Sequence, residues 1–260
     1  MSAIIKKNKI DELSDQELER YNKHILLDEI DYHGQKSLKN KHVVLVGLGG
    51  LGSPIAYYLA SSGIGKITII DNDKVDLSNL QRQILFDVSD IGCSKVVAAK
   101  RRLLLLNPEL NILPVDKKIC KDSQSSIFND CNLIIDATDN FKTRCLINKF
   151  SLANRVPLVM GAAIKFQGQI AIFRNDQDNE PCYNCLYEDV LEDDACINSG
   201  VLASLTGVIG SIQTSEVFKL LLDIGDQLNS KLLLVDIKNN EFKVIKITKD
   251  LKCKVCNNDK

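Results

Sequence analysis

The chain has 260 residues, 45% of them hydrophobic, and can therefore bury a large core within one domain. With 33 basic and 34 acidic residues the net charge is −1, so nothing in the charge favours binding to nucleic acid or to an anionic membrane. The N-terminus lacks a segment like a signal peptide and the most apolar later stretch, residues 200–224, carries charged side chains, so we expect a cytoplasmic protein without a membrane span.

The first predicted element is a helix over residues 15–27. Ser14 precedes Glu17 by three residues, the spacing of a capping box, and apolar residues then recur at helical intervals. We interpret residues 1–40 as the N-terminal helical segment of a single domain spanning residues 1–260.

A glycine cluster follows the apolar run at residues 43–46 and leads into a helical pattern. The cluster consists of Gly47, Gly49, Gly50 and Gly52. Gly47 permits a tight turn, and Gly49 and Gly50 let backbone N–H groups approach a phosphate. Gly52 lets the helix pack against the strand. The pattern predicts a phosphate-binding loop, and the alternative is a glycine-rich turn that binds no ligand.

A second apolar run, residues 66–70, supports the nucleotide interpretation. It ends in Asp71, about 20 residues after the glycine cluster, where a ribose-binding carboxylate is expected. Further on, the sequence predicts helices over residues 94–106 and 142–154, and strands over residues 112–115, 133–136 and 158–160. Alternating strands and helices predict an α/β fold, a Rossmann-like and mostly parallel sheet with helices on both faces.

The second half of the chain has a different pattern. Residues 169–173 alternate in polarity, and two apolar runs, residues 232–235 and 242–247, flank Asn239 and Asn240 like a hairpin. We therefore expect antiparallel strands that extend the parallel sheet. No linker rich in proline, glycine or serine separates the halves, so the chain is interpreted as one domain.

Nine cysteines in a cytoplasmic chain argue against a disulfide framework. Four of them form two CxxC pairs, Cys182 with Cys185 and Cys253 with Cys256. Such pairs hold tetrahedral zinc, and four thiolates leave no open position, so a structural Zn²⁺ is predicted; a redox CxxC is the alternative. We interpret the cysteines in apolar surroundings as small buried hydrophobic residues: Cys93, Cys120, Cys131 and Cys145.

Polar residues collect where the parallel strands are expected to end. After the second strand these are Asp71, Asp73, Ser78 and Asn79. Two cations follow, Arg82 and Lys95, and both suit the charge of a triphosphate. The alternatives are a surface salt bridge for Arg82 and a solvated helix-surface position for Lys95. Lys117 and Lys118 are interpreted as solvated surface.

Asp139 and Asn140 follow the strand predicted at residues 133–136. A carboxylate at this edge is a candidate ligand for Mg²⁺, and the alternative role for Asp139 is the N-cap of the next helix.

The motifs together resemble the ThiF/MoeB family of enzymes, which adenylate ubiquitin-like sulfur carrier proteins. They extend over nearly the whole chain: Arg20-Tyr21-Asn22, GLGGLGSP, SNLQRQ, Asp136-Ala137-Thr138-Asp139-Asn140, Met160-Gly161-Ala162-Ala163, GVIGS and the last CxxC. The resemblance implies that the glycine carboxylate of a Gly-Gly-tailed carrier attacks the α-phosphate of ATP. Pyrophosphate leaves, and the carrier acyl-adenylate serves sulfur transfer in thiamin or molybdopterin biosynthesis.

The residue types suit this chemistry, because the nucleophile is already an anion and needs no general base. By similarity, ATP and its transition state are held by Gly50, Asp71, Asn79, Arg82 and Lys95. By similarity again, Asp139 binds magnesium and the paired cysteines bind structural zinc. Residues 41–166 then form the nucleotide-binding half, and residues 167–260 form the half that binds the carrier and zinc.

The resemblance also concerns Cys196 and Lys23. Cys196 matches a family cysteine near the active site that joins the carrier through sulfur in thiamin-type members and is dispensable in molybdopterin-type members. Its acidic neighbours would raise the pKa of its thiol. Lys23 stands where the family usually has an arginine that reaches the triphosphate from a neighbouring subunit, and it keeps the charge but loses the bidentate fork. The resemblance implies a homodimer.

The chain ends soon after Cys256, so we expect sulfur to come from a separate donor protein.

The sequence also allows functions other than carrier adenylation. An NAD-dependent oxidoreductase shares the glycine loop but needs a proton donor, and the histidines all lie beside or before the loop: His24, His33 and His42. A tRNA threonylcarbamoyladenosine dehydratase-like enzyme would want a basic face. A non-catalytic scaffold with the same fold would not need the charged residues Asp71, Arg82, Lys95 and Asp139 together.

Overall fold

The computed structural model describes residues 12–121, 125–187 and 199–257. The helices, in chain order, are α1 (Asp15–Arg20), α2 (Asn22–Ile25), α3 (Asp31–Lys39), α4 (Gly52–Ser61), α5 (Lys95–Leu106), α6 (Phe141–Asn154), α7 (Tyr183–Leu186) and α8 (Ala203–Leu222). The strands are β1 (His42–Val46), β2 (Lys66–Ile70), β3 (Asn111–Val115), β4 (Leu133–Asp136), β5 (Leu158–Ile164), β6 (Gln167–Phe173), β7 (Lys231–Asp236) and β8 (Glu241–Lys246).

These strands form one eight-stranded sheet in the order β3-β2-β1-β4-β5-β6-β7-β8. The pairings from β3 to β5 are parallel, and those from β5 to β8 are antiparallel. The predicted fold class, a parallel sheet extended by antiparallel strands, is confirmed. Because the chain order reverses between β1 and β4, a crevice opens at the carboxyl ends of these two strands, which is where such sheets bind ligands.

The N-terminal helix is shorter than the prediction of residues 15–27. The capping box is present, with the Glu17 amide donating to Ser14 Oγ at 3.2 Å. The first helix ends at Arg20 because Tyr21 leaves the helical region and buries its ring, where the hydroxyl accepts from Asn107 Nδ2 at 3.0 Å. A tertiary contact therefore overrides the helical periodicity at this point. Helix α3 lies within the predicted N-terminal helical segment, although no separate bounds were predicted for it, and it packs through the buried Leu38.

Helix α8 is the long apolar element of the second half, and it had no predicted secondary structure. It packs against α4, β5 and β6. Its surroundings are protein on several sides, so its apolar residues do not form the single stripe from which amphipathic helices are recognised. In the described part of the chain, no helix is long and apolar enough to cross a membrane.

The core lies on both faces of the sheet. On one face the buried side chains of β1, β2 and β4 meet α4, α5 and α8; on the other they meet α6 and the region of Tyr183.

The prediction that the cysteines outside the CxxC pairs are buried is correct for Cys131, which is buried, and wrong for Cys93 and Cys120, which are exposed. Cys145 is half-buried. Apolar residues beside a cysteine in the sequence do not ensure that the cysteine is buried, because the backbone can turn at the surface at that point.

Candidate active site

A cleft of about 970 Å³ lies at the carboxyl ends of the parallel strands. Ten of the residues predicted for the nucleotide site line it: Gly47, Gly49, Gly50, Asp71, Asp73, Asn79, Arg82, Lys95, Asp139 and Asn140. They come from the loops after β1, β2 and β4 and from the first residue of α5. The sheet therefore brings together residues that are far apart in sequence.

The glycine loop after β1 depends on two glycines at which a side chain would clash with the backbone. Gly47 has φ +92°, and a Cβ on it would lie 2.8 Å from the Ala137 carbonyl oxygen. A Cβ on Gly52 would lie only 2.0 Å from the Gly47 carbonyl oxygen. The loop is thus folded tightly against the end of β4, and helix α4 begins directly behind it at Gly52. Backbone N–H groups at the start of a helix make a favourable anion site.

Asp71 ties the end of β2 to this loop. One carboxylate oxygen accepts from the Leu48 amide at 2.7 Å, and the other accepts from the Asp73 amide at 2.8 Å. Burial raises the pKa of Asp71, while the nearby charge of Lys95 and the two backbone hydrogen bonds oppose this shift. Each oxygen keeps a lone pair, so the group can still accept from a hydroxyl of a bound ligand.

Lys95 is buried although it begins a helix. Its side chain is 5% exposed, and its Nζ lies 2.8 Å from Asp73 Oδ2. This burial rules out the alternative of a solvated helix-surface lysine. The carboxylate of Asp73 is itself 60% exposed, so the pair places a cation inside the cleft and its counter-ion at the rim.

Arg82 and Asn79 belong to one turn at the end of the 3-10 segment Leu77–Asn79, where the Arg82 amide donates to the Asn79 carbonyl oxygen at 3.1 Å. Arg82 Nη1 donates to the Ser78 carbonyl oxygen at 3.1 Å. Within the part of the chain that the structure describes, Arg82 forms no ion pair with an acidic side chain, so the surface salt-bridge alternative has no support. Ser78 does not line the cleft, and its hydroxyl donates to Asp76 Oδ1.

The loop after β4 presents Asp139 to the cleft. Asp136 Oδ1 accepts from both the amide and the hydroxyl of Thr138, at 2.9 and 2.7 Å, which folds the loop. Asn140 caps helix α6, because its side chain accepts from the Thr143 amide at 2.9 Å. The N-cap alternative for Asp139 is therefore wrong: the cap is Asn140, and the Asp139 carboxylate is exposed at the cleft.

The four paired cysteines converge, as predicted. Their sulfur atoms all lie within 4.8 Å of one another. The separations are 3.8 Å for Cys182 to Cys253, 3.9 Å for Cys185 to Cys182 and 3.5 Å for Cys185 to Cys256. A tetrahedral ion with Zn–S bonds of about 2.3 Å requires sulfur atoms about 3.8 Å apart, so the four residues fit zinc. The convergence of both pairs does not support the redox alternative for either one.

Four predicted site residues lie outside the cleft or cannot be placed: Gly52, Ser78, Lys23 and Cys196. Lys23 is exposed on α2 and does not line the cleft of its own chain. Arg20 is occupied elsewhere, since its Nη1 donates to the Leu106 carbonyl oxygen at the end of α5, at 2.9 Å. Cys196 lies outside the described residues.

Several residues that line the cleft were not predicted from the sequence. Lys117 and Lys118 are exposed, as expected, but both line the cleft just beyond β3. The rule that ligands bind at the carboxyl ends of parallel strands would have identified them. Glu241 and Lys243 also line the cleft. The last two lie on β8, an antiparallel edge strand, and no sequence signal connects that strand to the glycine loop.

Residues 21–255 match the model of the ThiF family. The chain belongs to the ThiF family. Among similar proteins, a molybdopterin-synthase adenylyltransferase of Escherichia coli (strain K12) is 42% identical over 249 residues, which are 94% of this chain and 98% of that protein. A sulfur carrier protein adenylyltransferase of Thermus thermophilus is 35% identical over 94% of this chain and 92% of its own length.

Solved structures agree with this ThiF family fold. A crystal structure of Escherichia coli MccB with MccA-N7isoASN has a TM-score of 0.80, with 22% identity over 96% of this chain and 77% of that one. At this identity the likeness concerns the fold alone. The glycine loop lies within the residues that match the ThiF family, so it gives no separate support to the oxidoreductase alternative.

Proposed function

We propose that this ThiF family protein is an adenylyltransferase that activates the C-terminal glycine carboxylate of a ubiquitin-like sulfur carrier protein with ATP. The observation that carries the proposal is the joining of a phosphate loop, the cations Arg82 and Lys95 and the carboxylate Asp139 in one cleft. Relatives that match nearly end to end and bear adenylyltransferase names support it.

In the proposed reaction, one carboxylate oxygen of the carrier attacks the α-phosphorus of ATP. A new P–O bond forms, and the bond from the α-phosphorus to the bridging oxygen breaks, with its electron pair leaving on pyrophosphate. Asp71 accepts from the ribose, and the N–H groups around Gly49 and Gly50 bind phosphate. Arg82 and Lys95 stabilise the negative charge that develops in the transition state. No side chain needs to remove a proton.

Asp139 is the residue that we assign to magnesium. The cleft offers this exposed carboxylate near the phosphate loop, in keeping with the oxygen ligands that Mg²⁺ prefers. Bound magnesium would neutralise phosphate charge. Structural zinc in the cysteine cluster would hold α7 against residues 253–256 and would take no part in the transfer.

The partner that we propose is a carrier of the molybdopterin type. Relatives at 41% and 42% identity are named for molybdopterin synthase, and this favours that pathway over thiamin biosynthesis. A separate protein would supply the sulfur. A homodimer would bring Lys23 to the cleft of the partner subunit, and Cys196 would be dispensable for adenylation. We propose that this reaction takes place in the cytoplasm.

ATP–pyrophosphate exchange tests the proposal. Exchange that depends on a purified Gly-Gly-tailed carrier of the molybdopterin type, and that is absent with a carrier of the thiamin type, is the expected result. A carrier that lacks its last glycine is the control and should give none. Absence of exchange with both carriers, while ATP still binds, would contradict carrier adenylation and direct the search to a modified tRNA base as the acceptor.

A further inference from the structure

A fully buried asparagine of helix α6 lies against the first CxxC pair. Asn148 is on α6, and it contacts both residues that separate Cys182 from Cys185. Its Oδ1 accepts from the Tyr183 amide at 3.3 Å, and its Nδ2 donates to Asn184 Oδ1 at 3.0 Å. One side chain on α6 therefore holds the short segment that sets the spacing of these two thiols.

Further hydrogen bonds fix the orientation of this amide. Asn148 Oδ1 also accepts from Asn175 Nδ2 at 3.1 Å, and the same Nδ2 donates to Ser151 Oγ at 2.8 Å. A backbone N–H can only donate, so the contact with Tyr183 decides which end of the Asn148 amide is the oxygen. The side chain cannot turn over without losing these contacts.

Helix α6 contacts the same segment at a second point. Asn184 Nδ2 donates to Cys145 Sγ at 3.6 Å. Cys145 precedes Asn148 by three residues, so both lie on one face of α6.

Packing between α6 and this segment does not require buried amides. A buried amide is unfavourable unless it is hydrogen-bonded, and apolar side chains could fill the same space. A connected network of buried hydrogen bonds instead specifies one arrangement of the groups that it joins. The groups joined here are helix α6 and the two residues between Cys182 and Cys185.

Resting on the structural zinc proposed above, we propose that Asn148 is a positioning residue for the metal, which holds Cys182 and Cys185 at the separation that zinc requires. Their sulfur atoms lie 3.9 Å apart. Tetrahedral Zn–S bonds of about 2.3 Å require about 3.8 Å. Ligands held in place need little rearrangement to bind, so Asn148 raises the affinity for zinc and slows its release without coordinating the ion.

Two variants and a matched control test this role. Asn148→Leu keeps the branched shape of the side chain and removes its hydrogen bonds to Tyr183 and Asn184. Asn184→Ala removes the other partner of one of these hydrogen bonds, at a half-buried position. The control is Asn154→Leu, the same substitution on the same helix, at a half-buried asparagine whose Nδ2 donates to the Phe150 carbonyl oxygen at 2.8 Å.

Three quantities are measured: the zinc affinity at equilibrium with zinc buffers, the rate at which the zinc-loaded protein releases metal to a chromogenic chelator, and the melting temperature in excess zinc. We expect Asn148→Leu to weaken zinc binding and to speed release by about tenfold or more, as is usual when a residue that holds a metal ligand is removed. Asn184→Ala should speed release by about threefold or more. Asn154→Leu should bind and release zinc like the original protein, whatever its melting temperature.

The double variant shows whether the two residues act through their shared contact. Because Asn148 and Asn184 share one hydrogen bond, Asn148→Leu with Asn184→Ala should release zinc within about twofold of Asn148→Leu alone. Independent effects would multiply instead, and would show that the contact between the two side chains is not what holds the cysteines.

The assignment is overturned by zinc affinity and release within about twofold of the original protein in both Asn148→Leu and Asn184→Ala. A lowered melting temperature on its own would then indicate a packing role. If Asn148→Leu does not fold, Asn184→Ala decides. An original protein that binds no zinc would overturn the zinc proposal and this inference together. Carrier-dependent exchange enters none of these measurements, so adenylation and the role of Asn148 are decided separately.

Discussion

Arg82 is the residue whose removal should cost the most activity for the least stability. Its guanidinium donates to a single backbone carbonyl and faces the cleft, so Arg82→Ala leaves no buried charge behind. We expect ATP–pyrophosphate exchange to fall by about 10²-fold or more, with a melting temperature close to the original. The control is Arg155→Ala, which removes an exposed arginine paired with Asp178 outside the cleft. Retained activity in Arg82→Ala would contradict the role given to Arg82.

Lys23 allows a test in which one substitution is expected to raise the activity rather than lower it. It is exposed and lies off the cleft of its own chain, so a role in catalysis requires a second subunit. An arginine at this position would restore a bidentate fork for phosphate. We expect Lys23→Arg to raise the turnover number, and Lys23→Ala to lower it, with ATP binding to the separated monomer unaffected. Equal turnover in all three proteins would exclude a contribution from this position.

Asp136 should give the protein a recognisable dependence of stability on pH. Complete burial raises the pKa of Asp136, and the charge of Arg144 opposes that shift only in part. The folded state therefore holds this proton to higher pH than the unfolded state, whose carboxyl has a pKa of about 3.9. The stability from this group is fully present below that value and is lost as pH rises through the folded pKa.

Asp136→Asn removes this titration and keeps the oxygen that accepts from Thr138. Urea unfolding of the variant and of the original protein should be compared from pH 4.5 to pH 8 in steps, about one unit apart. We expect the stability of the variant, relative to the original, to increase with pH. A difference that is constant across this range would contradict a raised pKa.

At the scale of the element, the N-cap of helix α6 should affect both the stability of the protein and the activity of the cleft. Asn140 accepts from the Thr143 amide at 2.9 Å and stands next to Asp139. Asn140→Ala should lower the free energy of unfolding by about 1 kcal/mol, and it should also reduce exchange because the turn that carries Asp139 loosens. Asn140→Ser, which keeps a capping oxygen, should restore the stability. Melting temperature and exchange are measured together, and loss of neither in Asn140→Ala would show that the cap is dispensable.

The elements also show which parts of the fold can be predicted from local sequence patterns. The glycine loop, the strand before it and the helix behind it follow from local requirements: a positive φ at Gly47 and no room for a Cβ at Gly52. The N-terminal helix and α8 do not follow in this way. Tyr21 ends its helix for a contact with Asn107, 86 residues later, and α8 is buried on several sides.

At the scale of the whole molecule, the cysteine cluster should act as a metal-mediated cross-link between distant parts of the chain. It joins α7 to residues 253–256, near the end of the described chain. We expect about one zinc per chain by mass spectrometry, and a melting temperature that falls on treatment with a strong chelator because zinc binding is coupled to folding. Cys253→Ser should lose the metal, whereas Cys93→Ser, at an exposed cysteine outside the cluster, should keep it. A chain without metal but with an unchanged melting temperature would contradict this role.

The sequence by itself determined the α/β class, the nucleotide loop, the charged residues after the strands and the CxxC pairs, because each depends on local geometry or on short spacing. Only the tertiary structure decided that Lys95 is buried with Asp73, that Asn140 rather than Asp139 caps α6, and that β8 reaches the cleft. These features depend on which strands are neighbours and on which side chains lose contact with water. Both are properties of packing between distant segments, and local propensity does not encode them.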